Sequence, residues 1–156
     1  MVETIEVAHI GDLVDAIRDI RRSKRPGLPL WFRGQGNAQW TVQAALWREG
    51  GPRRPFTAAD ERNFTHRFRT RAAIRYPNTP AYEDHAAWLS LMQHYGLPTR
   101  LLDWSRSPLV AAYFASQAYL RADKDSVPDV AIWVLSPHEL TRSFAALDVT
   151  PPIRSQ

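Results

Sequence analysis

The chain has no cysteine, which excludes disulfide staples and thiolate metal sites. It has no run near the ~18–20 apolar residues that a membrane span needs. The opening "MVETIEVAH" has neither a basic n-region nor an apolar h-region, so no secretory signal is expected and a cytoplasmic location is the default. His9, His66, His85 and His138 show no metal-ligand spacing such as H-E-x-x-H. A nucleophile elbow, a Walker P-loop and the dinucleotide fingerprint G-x-G-x-x-G are all missing, as are internal repeats and low-complexity segments.

What is present suits one domain spanning 1–156, since single domains run ~100–200 residues. Hydrophobic residues make up 44%, enough for a core and too many for a disordered chain. The formal net charge is +4 and the pI is about 9.8, carried mostly by arginine. Mild basicity serves solubility. Arginine also forks onto phosphate and carboxylate, which leaves a phosphate-bearing ligand or nucleic acid open as partners.

Ile10, Leu13, Val14, Ile17 and Ile20 recur at helical spacing and predict a helix over roughly 10–22, ended by "RRSKRPG". "LPLWFRG" reads as a short buried strand closed by Gly34, and "QWTVQAAL" (39–46) is β-prone. "REGGPRRPF" is a loop by its Gly and Pro content. Thr57 and Asp60 begin a helix in capping-box fashion, with Phe64, Phe68 and Ala72 as its apolar stripe. A further helix covers roughly 81–95, with Trp88, Leu91, Met92 and Tyr95 inward and Gly96 as its stop. "TRLLDW" is a strand candidate. Ser107-Pro108 then supplies an N-cap and a first-turn proline for the helix "PLVAAYFASQAYL", whose Tyr113 and Phe114 read as core. "DVAIWVL" (129–135) is the clearest buried strand, and Ser136 to Glu139 opens a short last helix. Helices and strands mix without regular βα alternation, so the fold class is α+β: a small mixed or antiparallel sheet flanked by helices.

Two stretches could carry chemistry. In "WFRGQGNAQW", Arg33 ends an apolar strand beside Gly34 and Gly36. Glycine lets backbone approach a ligand, and the arginine could fork onto a phosphate or pair with a core-edge carboxylate. In "QHYGLPTRLLDWS", Gln93 and His94 close a helix, whose dipole favours a cationic histidine. Thr99, Arg100, Asp103 and Ser105 follow on the candidate strand, where Arg100 and Asp103 could form a geometry-fixing pair. Ser105 and Ser107 stand at a helix entrance, which serves equally as a cap and as an anion site. Arg67, Arg71 and Arg75 recur every four residues, as a solvated basic face or a track for phosphates.

These stretches resemble the FRG-domain family. Its name-giving motif is matched by Phe32-Arg33-Gly34, and its second by "QHYGLPTRLLDWSRSPLVAAYFA", the likeness spanning roughly 28–135. "LWFRG" and "LLDWSRSPLVAAYFA" are further similar to the first-strand arginine motif and the later serine-bearing turn of ADP-ribosyltransferases. That resemblance implies an ADP-ribosyltransferase-like core with NAD or a related nucleotide held between Arg33 and the 93–107 segment. Arg33, Gly34, Gln93, His94, Thr99, Arg100, Ser105 and Ser107 would contact the cofactor, and Arg33, His94 and Asp103 would be the catalytic set. It implies transfer of ADP-ribose to an acceptor or to water, in a bacterial toxin or phage-defence effector. The alternative is a non-catalytic module that binds a nucleotide or nucleic acid. No convincing counterpart of the transferases' late glutamate is seen; Asp103 could substitute as the acid, though nothing in the sequence compels it. Because FRG proteins often continue past the point where "DVTPPIRSQ" stands, a truncated form is expected.

Overall fold

The computed structural model describes residues 2–48, 56–121 and 128–143. The loop expected over "REGGPRRPF", Arg48 and Phe56 apart, and the tail "DVTPPIRSQ" lie outside the described residues. The chain divides into two compact units, one formed by 1–39 with 104–156 and the other by 40–103.

In the first unit, helix α1 (Ile10–Ser23) opens where the Asp12 carboxylate accepts the Ala8 and His9 N–H groups at 3.1 and 3.0 Å. That acid also suits the positive end of the helix dipole. Leu13, Ile17 and Ile20 turn inward, whereas Ile10 and Val14 are exposed, so the buried stripe is narrower than its spacing suggests. The helix stops before Pro26, and Gly27 makes the turn with φ 83°, a left-handed conformation open to glycine.

Strand β1 (Trp31–Gln35) pairs antiparallel with β2 (Ala131–Leu135), with Phe32 opposite Val134 and Gly34 opposite Ile132. Among the described residues these two strands are the whole sheet. Phe32 is fully buried against Ile17, Leu30 and Ala111, with Ile132 and Val134 beside them. Burial of such a side chain stabilises by roughly 2–3 kcal/mol. Helix α4 (Pro108–Arg121) lies across β1. Its Ala111 and Ala115, one turn apart, are buried where Gly34 meets them. A Cβ on Gly34 would overlap the Ala111 carbonyl oxygen and come within 2.6 Å of the Ala115 nitrogen. Strand and helix therefore touch backbone to backbone. Tyr113 and Phe114, expected in the core, are exposed because the inward face of α4 is taken by these alanines. Helix α5 (Pro137–Ser143) begins at Ser136, whose Oγ accepts the Glu139 N–H at 3.4 Å. The Glu139 carboxylate takes Lys24 Nζ at 2.8 Å.

In the second unit, helix α2 (Ala58–Arg75) starts with the reciprocal Thr57–Asp60 capping box. Helix α3 runs over His85–His94. It begins later than 81 because the Asp84 carboxylate caps Ala87 N–H at 3.0 Å, and Gly96 closes it at φ 78°. Phe68 meets Trp88 and Tyr95 with ring centroids 6.3 and 6.0 Å apart, and Leu46 and Met92 are fully buried. The strand expected over 39–46 does not form. A 3-10 turn, Ala45–Trp47, instead buries Leu46 and leaves Trp40 exposed. Nor is 99–104 a strand: Thr99 Oγ accepts the Leu101 N–H at 3.2 Å, and the Thr99 carbonyl accepts from Leu46. Local side-chain bonds of this kind compete with a ladder. The α+β assignment holds, with a smaller sheet than the sequence suggests.

Candidate functional site

The pleat of β1 sorts its side chains. Phe32 and Gly34 face α4, so Arg33 and Gln35 face the other way. Gln35 is buried there and accepts the Trp133 indole N–H through its Oε1. Arg33, half-buried, is opposite Trp133 in the register.

On the other edge of β1, Phe32 N–H donates to the Ser105 carbonyl at 2.7 Å, and Ser105 N–H donates to the Phe32 carbonyl at 2.8 Å. This isolated antiparallel bridge brings the 105–107 turn alongside the strand that carries Arg33. A directly opposed pair shares one face of a sheet, so Ser105 shares the face of Phe32 and Arg33 takes the other. Ser105 Oγ accepts the Ser107 N–H at 3.0 Å, and Ser107 Oγ accepts the Val110 N–H at 3.5 Å. The turn thereby delivers the chain into the N-terminus of α4, where Pro108 occupies the first helical position.

Gln93, His94, Thr99, Arg100 and Asp103 belong to the second unit. Three of them form one hydrogen-bonded chain. Buried Thr99 donates through Oγ to Gln93 Oε1 at 2.5 Å, and Gln93 Nε2 donates to the Asp103 carboxylate. Leu101 N–H also donates into Thr99 Oγ, so the threonine hydroxyl ties its own segment to Gln93.

Asp103 is one partner the sequence offers Arg100, but the guanidinium forks onto Glu61, with Nε 2.8 and 2.9 Å from the two carboxylate oxygens and Nη2 completing the fork. Glu61 has only 4% of its side chain exposed, against 52% for Arg100. The hydrogen bonds from Arg100 hold the Glu61 carboxyl below its ordinary range, against the upward push of burial, and the same bonds raise Arg100. Glu61 was missed in the sequence. Its signal was position, seven residues before Phe68 and eleven before Ala72 on the inward stripe of α2. His94 is exposed at the end of α3, beside the 77–80 loop, with its ring edge-on to Tyr95.

A second missed group lines a cleft of about 750 Å³ in this unit, where Arg62, His66 and Arg69 of α2 face Tyr82, His85 and Trp88. The arginines singled out by spacing, Arg67, Arg71 and Arg75, are exposed on α2. Among the described residues no group of three metal-ligating side chains forms, and no helix is long and apolar enough to cross a membrane.

A family model described as FRG domain matches residues 29–124. The chain belongs to the FRG domain family. In this FRG domain the name-giving triplet splits by role: Phe32 fills the core, Gly34 admits the backbone of α4, and Arg33 projects from the opposite face. The matched region contains every residue of the Arg33 strand and of the 93–107 segment. No curated protein and no solved structure matches the chain.

Proposed function

We propose that this FRG domain binds a pyrophosphate-bearing nucleotide of the NAD class through Arg33 and the Ser105–Ser107 turn, as an ADP-ribosyltransferase-like domain. The observation that carries this reading is the reciprocal Phe32–Ser105 backbone pair, which sets the arginine's strand edge-on to the turn that opens a 14-residue helix; because Arg33 leaves the strand on the face opposite Ser105, its long side chain would have to reach round the strand edge for both to hold one pyrophosphate. The donor set fits a pyrophosphate. A guanidinium forks onto phosphate oxygens, and amides at a helix N-terminus favour anions. The two serine oxygens accept backbone N–H groups, and each hydroxyl still has its own proton to donate. NAD, when bound, supplies a labile ribose–nicotinamide bond. The residues of the chain bind and orient the nucleotide.

Calorimetry of the purified protein with NAD, ADP-ribose and a short oligonucleotide tests the reading, followed by an assay for released nicotinamide. Arg33→Ala removes a charged hydrogen-bonding partner worth ~1.5–3 kcal/mol, so NAD affinity should fall roughly 10- to 100-fold. Arg33→Lys should recover only part of it, since an ammonium lacks the planar fork. Loss of stability without loss of affinity would make Arg33 a structural residue.

The exposed Arg67, Arg71 and Arg75 favour a second reading, a module that binds nucleic acid. Salt separates the two. With six phosphates engaged, affinity for an oligonucleotide would fall ~10³-fold or more over a four-fold rise in salt, whereas a single pyrophosphate responds far less.

A further inference from the structure

The cleft on α2 lies outside the Arg33 strand and the serine turn, and its lining has the character of a site in its own right. Its volume of about 750 Å³ falls within the roughly 300–1,000 Å³ of small-molecule sites. Arg62, His66 and Arg69 are spaced four and three residues apart, so they form one stripe down the helix. The guanidinium of Arg69 is held in place. It lies 5.1 Å from the Tyr82 ring centroid and 5.2 Å from that of Trp88, and Nη2 is 2.9 Å from His85 Nδ1. Its Nε is buried and has no hydrogen-bond partner among the described residues.

Charge in the cleft is unbalanced. Arg100 is neutralised by Glu61, but among the described residues neither Arg62 nor Arg69 has a carboxylate partner. Two such cations on one wall focus a positive potential into the cleft. Guanidinium forks match phosphate oxygens. Seven residues separate the two arginines, about 10 Å along the axis at 1.5 Å per residue. Tyr82, 73% exposed, offers an aromatic surface at the Arg69 end.

We propose that this cleft is a second binding site, for a nucleoside phosphate, with Arg62 and Arg69 taking the phosphates and Tyr82 the base. The partner is a small molecule rather than a polymer, because the cleft is a local concavity of small-molecule size and not a groove running along the surface.

The test uses ADP as the probe, in an Arg33→Ala background so that the site at Arg33 and the serine turn does not contribute. Calorimetry should show one site, and amide NMR shifts should concentrate on residues 62–88. Arg62→Ala, an exposed position, should weaken ADP at least ten-fold. Arg69→Lys, which keeps the charge and loses the fork, should weaken it similarly. Thermal melts check that both variants fold; if Arg69→Lys does not, Arg62→Ala decides alone. Inorganic pyrophosphate should bind more weakly than ADP. Unchanged ADP affinity in Arg62→Ala, shifts elsewhere in the chain, or no ADP binding at millimolar concentration would overturn the site. Equal affinity for pyrophosphate and ADP would overturn the nucleoside class. An oligonucleotide bound more tightly than ADP at the same residues would overturn the small-molecule assignment.

Discussion

Replacing Gly34 with alanine adds one methyl group, and the structure dictates where it goes. The new Cβ would overlap the Ala111 carbonyl oxygen and sit 2.6 Å from the Ala115 nitrogen. Both are backbone atoms of α4, so no rotamer change relieves the clash and the helix itself must move away from the strand. The same movement opens the packing around fully buried Phe32, which touches Ala111 in the same cluster. Overpacking of a tight core costs ~1–3 kcal/mol and sometimes more. A clash between rigid elements belongs at the upper end, about 3 kcal/mol. At ~2–4 °C per kcal/mol for a chain of this size, the midpoint should fall by roughly 6–12 °C. Circular dichroism followed through a thermal melt measures the shift in midpoint, and through urea unfolding the loss of free energy. Gly11→Ala is the matched control: Gly11 lies in α1 with nothing within 4 Å of an added Cβ, and alanine there should stabilise by ~0.5–1 kcal/mol. Ala111→Gly should not rescue Gly34→Ala, because the obstruction is the carbonyl and not the methyl. A Gly34→Ala protein as stable as the parent would refute the close approach of β1 and α4.

The Glu61–Arg100 pair should respond unequally to truncation. Arg100→Ala leaves a buried carboxylate alone and should cost about 2 kcal/mol, a buried-pair loss discounted for the half-exposed arginine; Glu61→Ala leaves an arginine that water can reach and should cost less. The Glu61 carboxyl is lowered in the folded state, so its stabilisation is fully present above the ordinary value of 4.5 and is lost as pH falls through the lowered one. Denaturation midpoints measured between pH 6 and 3 should fall more steeply in the parent than in Glu61→Gln. Thr99→Val removes a hydroxyl that serves both Gln93 and Leu101 and should cost ~1–3 kcal/mol. Thr99→Ser should retain most of that stability in the same urea assay.

Helix starts were the most legible feature of this chain. Thr57 with Asp60, Ser107 with Pro108, and Ser136 cap the helices that their spacing announces, because a cap is local chemistry between residues three or four apart. Strand β2 could be read because a continuous apolar run bounded by polar residues has few other outcomes. The strands expected over 39–46 and 99–104 could not be settled locally. A strand needs a partner, and Thr99 spent its side chain on its own segment instead. The signature residues were visible as residue types but not by role. Gly34 read as room for a ligand and proved to be room for a helix; Arg100 had Asp103 as one partner on offer and went to Glu61.

By itself the sequence determined the α+β class, the helix boundaries within a few residues, the absence of any thiol chemistry and membership of the FRG family. Only the tertiary structure decided which cations are neutralised, which arginine stripe lines a cleft, and why Phe32 and Gly34 suit their positions. The reason is range. Caps and periodicity are set within one or two turns of chain. Charge pairing and close packing are settled between groups such as Arg100 and Glu61, 39 positions apart, whose meeting depends on how whole helices dock.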